Sequence, residues 1–192
     1  MAKKLKKNID TATLTNKTKW GIDPAHSEIA FKAKHLMITN IKGVFKEFDA
    51  GIYITDEDFI TSGIDFRMNP ASVDTGNEKR DEHLKGQDFF DVENYKMITF
   101  TGNKFKKANK NGNYTLYGDL TIKGITKQIK LDVEFEGLMT DLSGNEKAGY
   151  IINGKIKRKD WGLNWNEDLE AGGVLVSDVV RINCELQMVK QS

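Results

Sequence analysis

Gln128-Ile-Lys-Leu-Asp-Val-Glu-Phe-Glu136 changes from polar to apolar at every step. Successive strand side chains point to opposite faces, so Ile129, Leu131, Val133 and Phe135 share one face, opposite Lys130, Asp132, Glu134 and Glu136. The segment is therefore a strand buried on one side. Val180, Ile182, Cys184, Leu186 and Met188 alternate in the same way against Val179, Arg181, Asn183, Glu185 and Gln187. Shorter runs follow the pattern through Ile29 to Ala33, Ile64 to Met68, Ile98 to Phe100, Tyr114 to Ile122 and Ala148 to Ile156. Between Val44 and Ile54 the parity slips, which predicts a β-bulge near Lys46 and Glu47.

Turn residues separate these runs at Asn111-Gly112-Asn113, Lys123-Gly124, Ser143-Gly144-Asn145 and Ala171-Gly172-Gly173. Connections of that kind make hairpins and an antiparallel sheet. Thr75-Gly76-Asn77-Glu78 has the spacing of a capping box and predicts a short helix from Lys79 to Lys85, stopped by Gly86. Leu84 is its one apolar residue, so Arg80 is read as exposed and its loss as shifting stability by no more than about 0.5 kcal/mol. About eight strands with one buried face must stack as a sandwich or close as a barrel. An up-and-down barrel of that size either fills with side chains or encloses one small ligand. Small inward residues, Ala33, Ala50, Gly118, Ala148 and Gly154, leave space between the aromatics.

The 192 residues suit one domain over 20–190, preceded by a polar tail over 1–19 that carries Lys3, Lys4, Lys6 and Lys7 and is expected to stay solvated. With 29 Lys and Arg against 28 Asp and Glu, a net charge of +1 supplies no global field for nucleic acid. No window is apolar over about 18 residues, so no stable membrane insertion is expected. Basic residues near residue 1 are not followed by an apolar run, and the expected compartment is the cytoplasm. The single cysteine, Cys184, agrees with a reducing compartment.

Longer motifs add a resemblance. Trp20-Gly-Ile-Asp-Pro-Ala-His-Ser-Glu28, Lys34-His-Leu-Met-Ile38, Lys42-Gly-Val-Phe45, Asp74-Thr-Gly-Asn-Glu-Lys-Arg-Asp-Glu-His-Leu84, Asp88-Phe-Phe-Asp91, Gly118-Asp-Leu-Thr-Ile-Lys-Gly-Ile-Thr-Lys127 and Arg158-Lys-Asp-Trp-Gly-Leu163 occur in that order. From Trp20 to Met188 the chain resembles the YceI-like polyisoprenoid-binding family. Departures are Tyr95-Lys96, where Tyr-Pro is usual, and Trp161, where Phe is usual. The resemblance implies a lipocalin-like barrel, commonly a homodimer, that binds, stores or transports a polyisoprenoid, an isoprenoid quinone or a fatty amide. No cofactor is expected beyond such a bound lipid. The implied lumen is lined by Phe31, Phe45, Phe66, Phe100, Leu116, Leu131, Phe135, Ile152, Ile182 and Leu186.

Arg80 and His83, three apart on the helix, share a face and are candidate contacts for a ligand headgroup at the mouth. Phe89, Phe90, Trp161, Leu163 and Trp165 either line that entrance or plug the barrel end. His26, His35, His83 and Cys184 lack metal-ligand spacing, and Ser27 lacks a nucleophile elbow. Catalysis is not expected. Two alternatives stay open: an enzyme acting on a lipid in the same cavity, with Glu82 and His83 as its groups, and a filled, non-binding structural barrel.

Overall fold

The computed structural model describes residues 17–55, 61–107, 113–167 and 174–191. Eleven strands are present among them: β1 (Lys17–Ile22), β2 (Glu28–His35), β3 (Thr39–Phe45), β4 (Phe48–Thr55), β5 (Thr61–Met68), β6 (Val73–Asp74), β7 (Ile98–Lys107), β8 (Asn113–Ile122), β9 (Ile125–Thr140), β10 (Glu146–Lys157) and β11 (Val176–Lys190). The one α-helix among the described residues is α1 (Glu78–Lys85), and 3-10 turns lie at Pro24–His26, Pro70–Ser72 and Arg158–Trp161.

Three pairs of short strands act as single bent strands. Both β1 and β2 run along β11, β4 and β3 pair with them in turn, and β5 and β6 pair with β4 and β3. Every step is antiparallel, and β7 to β10 follow in chain order until β11 meets β1 and closes the ring. The result is an eight-stranded, closed, up-and-down barrel, lipocalin-like in form. The expected interruption at Lys46 and Glu47 separates β3 from β4, and the parity shift lets Phe45 and Phe48 both join the core. Alternation gives no strand over Lys17–Ile22, yet β1 pairs with β4 from Lys17 to Gly21, three residues ahead of the expected domain boundary. Residues 1–16 of the expected tail lie outside the described residues, as do the turns expected at Asn111-Gly112 and Ala171-Gly172-Gly173.

The bend between β1 and β2 is held by Asp23. Its carboxylate accepts from Ala25 N at 3.2 Å, His26 Nδ1 at 3.0 Å, Gln187 Nε2 at 2.9 Å and Lys147 Nζ at 3.3 Å. Burial pushes its pKa up, but the hydrogen bonds from His26, Lys147 and Gln187 outweigh that and bring it down to about 2. A folded-state pKa below the unfolded one stabilises above the unfolded value and is lost as pH falls through the folded value. Asp23→Asn should therefore cost about 2 kcal/mol at pH 7. Urea unfolding at pH 7, 4 and 2.5 should show that difference shrinking between about pH 4 and 2. A difference that stays constant across this range would mean that the carboxylate is not held by its charge.

α1 starts at Glu78, one residue before the expected Lys79, and its cap is not the Thr75 of the capping box. Asn77 is the N-cap and accepts from Arg80 N at 3.0 Å, because Thr75 is already bonded to Asp81 and Arg80. Arg80 is half-buried, donating from Nε to Thr75 Oγ1 at 2.7 Å and from its NH2 group to Thr75 O at 2.9 Å. The expectation of an exposed, energetically neutral Arg80 is thereby corrected: its fork ties the helix to the segment before it.

Candidate functional site

The barrel holds a cavity of about 220 Å³ that runs between the inner faces of nearly all its strands. Period-two alternation supplies the wall: Phe31 and Ala33 from β2, Phe66 and Met68 from β5, Leu116 and Leu120 from β8, and Val180, Ile182 and Cys184 from β11. Nine of the ten residues expected in the lumen line this cavity. Phe135 does not. It stands farther along β9 than Leu131 and Val133, across from Tyr150, and packs against that ring at 5.4 Å in the cluster of Trp20, Ile52, Ala148 and Met188 at the other barrel end; the register of β9 against β10 shifts only beyond it.

The small inward residues behave in two ways. Ala33 and Ala50 face the cavity. At the glycines, neighbours occupy the room: a Cβ on Gly118 would lie 2.3 Å from Phe100 Cζ, and one on Gly154 would lie 2.4 Å from Leu131 Cδ2. Gly43 is covered likewise by Phe31, at 2.3 Å. The glycines thus set how deep the rings settle, and the space remaining is nearer the alanines. Ala148, 1% exposed, belongs to the far cluster.

One end is capped by α1, by the turns from Gly86 to Met97 and by the connection from Arg158 onward. From this cap Leu84, Phe89, Phe90 and Leu163 reach the cavity. Trp161 is 2% exposed and donates Nε1–H to Leu120 O at 3.1 Å, so it plugs the wall beside the cavity. Trp165 lies behind the lining, its ring 5.5 Å from Phe89 and 4.6 Å from the His83 ring. His83 bonds Asp88 Oδ2 at 2.9 Å and sets its edge on Phe89. Neither His83 nor Arg80 is part of the cavity wall; both fasten the cap.

Arg158 is not among the site residues that the sequence predicts, although Ile152, Gly154 and Ile156 give its parity. It is 2% exposed and, among the described residues, is the one charged side chain in the lining. Its guanidinium donates to the carbonyls of Ser177 at 3.0 Å, Val176 at 3.4 Å and Leu163. Burial lowers its pKa, and nearby Asp178 opposes this. Polar atoms elsewhere in the lining come from Tyr150 and Cys184, whose pKa values burial pushes up to about 12 in each case. Both are therefore neutral at physiological pH. Among the described residues this lining holds no paired acid and base.

Residues 20–188 match the YceI-like domain model. The chain belongs to the YceI-like family. This YceI-like protein is 39% identical over 171 residues to a UPF0312 protein of Staphylococcus epidermidis, covering 88% of this chain and 96% of that one. A UPF0312 protein of Staphylococcus aureus is 38% identical over the same share of both chains. Among solved structures, a Campylobacter jejuni YceI protein superposes with a TM-score of 0.72 at 36% identity, covering 83% of this chain and 90% of that chain. BcnA of Burkholderia cenocepacia gives 0.74 at 24% identity over 86% and 98%, a likeness of fold. A polyisoprenoid binding domain from Saccharophagus degradans gives 0.61 at 15% identity over 90% and 98%, again a likeness of fold.

Proposed function

We propose that this YceI-like protein binds one long apolar molecule along its lumen, with the polar end of that molecule at Arg158, and that it carries or stores the ligand without transforming it. The carrying observation is the lining itself: aliphatic and aromatic but for Cys184 and, among the described residues, one cation at the capped end. Burying an alkyl or isoprenoid chain is favourable by about 0.8 kcal/mol per CH₂, and this gives affinity without direction. Direction needs a polar contact. The three carbonyl bonds of Arg158 leave guanidinium donors for a ligand oxygen such as a quinone or amide carbonyl. Polyisoprenoids, isoprenoid quinones and fatty amides all fit this description, and the description of the Saccharophagus degradans neighbour supports the first of them. Arg80 and His83 hold the cap through which the ligand passes.

Organic extraction of natively purified protein followed by mass spectrometry should recover a lipid, and titration of delipidated protein should show uptake of an isoprenoid quinone. No lipid recovered and no quinone bound would end the carrier reading. Arg158→Lys should weaken the quinone about tenfold relative to a hydrocarbon of equal length, the loss of one charge-assisted hydrogen bond. The ratio of the two affinities within one variant is insensitive to a general loss of folded protein. An unchanged ratio would remove Arg158 from the headgroup.

A further inference from the structure

The outer face of the barrel opposite the lumen wall of β10, β11, β2 and β3 carries a row of cations at one level. Lys155 on β10 stands directly across from Arg181 on β11, Arg181 from Lys32 on β2, and Lys32 from Lys42 on β3. Their chain neighbours Ile156, Ile182 and Phe31 point into the cavity, so these side chains point out. Like charges directly opposite on neighbouring strands repel and weaken a sheet. Lys42 is relieved by Glu28 at 2.7 Å, whereas Lys32, Arg181 and Lys155 have no ion pair among the described residues. Lys34 and Lys157 extend the basic face toward the capped end, and Glu28 and Glu185 stand opposite one another on the far side of the row.

Directly beyond Lys34 the β2–β3 hairpin ends in Leu36, Met37 and Ile38, which are 38%, 48% and 78% exposed. Leu36 and Met37 hold φ of 51° and 60°, the left-handed region where a two-residue hairpin ordinarily takes Asn-Gly. Two large apolar residues thus occupy left-handed backbone positions with more than a third of their surface open to water. Val179, 44% exposed and opposite Lys157, continues the apolar surface. The tip also touches the rim of the cavity: Leu36 N donates to Leu175 O at 2.8 Å, next to Val176 in the lining.

We propose that this face docks on an anionic lipid bilayer, with Leu36, Met37 and Ile38 entering the acyl boundary and Lys32, Lys34, Lys155 and Arg181 meeting acidic headgroups. An apolar edge flanked by cations is the pattern of a protein that lies on a membrane without crossing it. No helix among the described residues is long and apolar enough to cross one. Docked this way, the capped end and its cavity rim face the lipid, which is the source or destination that the proposed carrier role requires. The docking surface itself does not depend on that role.

The test is co-sedimentation with vesicles of phosphatidylcholine alone and of phosphatidylcholine with 30% phosphatidylglycerol, at ~0.1 M salt where charges are screened beyond about 10 Å. Partitioning should be at least about tenfold stronger on the anionic vesicles. Lys32→Glu with Arg181→Glu should lower it at least about 25-fold, from roughly fivefold per removed cation. Ile38→Asp should weaken it with the cations intact. A polarity-sensitive dye on Ile38→Cys should report transfer to an apolar medium; the native Cys184 is 8% exposed and stays unlabelled. Thermal unfolding of each variant verifies that the barrel is intact. Equal binding to both vesicles, undiminished binding after charge reversal, or a dye that stays in water would overturn the proposal. Tighter binding of a single-stranded oligonucleotide than of anionic vesicles at the same salt would also overturn it, as would self-association through this face. Lipid extraction from the lumen is scored separately, so a carrier that does not dock and a docking barrel that carries nothing give different results.

Discussion

Phe66→Asp is expected to lower folding stability by about 4 kcal/mol at pH 8 and to abolish uptake of any apolar ligand. Phe66 faces the cavity from β5, stands opposite Phe100 on β7 and Ala50 on β4, and stacks on Phe48 with ring centroids 6.3 Å apart. The side chains that pair with or stack on Phe66 are all apolar, so a new carboxylate there would have no hydrogen-bond partner beside it. Desolvation raises the pKa of a buried carboxyl, and a raised folded-state pKa means stability is lost as pH rises through it. The deficit against wild type should therefore be smaller at pH 5 than at pH 8. Urea unfolding at both values measures it. Phe66→Leu separates the two effects, keeping an apolar wall at a cost of about 1 kcal/mol and retaining the ligand. If Phe66→Asp folds normally and still takes up quinone, the lumen is not where the ligand lies.

Trp161→Ala should cost about 3 to 5 kcal/mol, the usual range for truncating a fully buried tryptophan. The side chain fills the junction between the end of β8 and the turn after β10, and its indole N–H satisfies Leu120 O. Trp161→Phe, the smaller ring, keeps most of the packing and leaves that carbonyl without its donor, for about 1 to 3 kcal/mol. Chemical denaturation of the two variants would distinguish a plug from a gate. A side chain that only gated entry would change the rate of ligand uptake and leave the unfolding midpoint in place.

The strands that could be read from the residues are those with one face fully dry. β9 and β11 announce themselves because each apolar position between Ile129 and Val133, and between Cys184 and Met188, is less than a tenth exposed. β1 offers little pattern, since Trp20 and Ile22 are its only inward apolar side chains and the rest of its pairing is backbone. The lumen wall follows from parity and was largely legible. Its shape was not, because the depth of Phe100 over Gly118 depends on a side-chain position across the strand pair. Phe135 keeps its parity but stands past the end of the cavity along β9, and parity does not say how far along the strands a cavity reaches. Arg158 had the right parity too; arginines are so rarely buried that composition argues against placing one in a dry wall.

Because β11 is the partner of β10 on one side and of β1 and β2 on the other, no lumen exists while the ribosome has yet to release Val176–Lys190. Strands made earlier can pair as hairpins, but their inner faces stay open to water and to other chains until this seam arrives. The closing contacts join residues as distant in the chain as Trp20 and Lys190, which makes completion of the ring a slow step. Under the carrier role proposed above, loading would then follow synthesis: a lipid would meet either a finished container or an open sheet that cannot yet retain it.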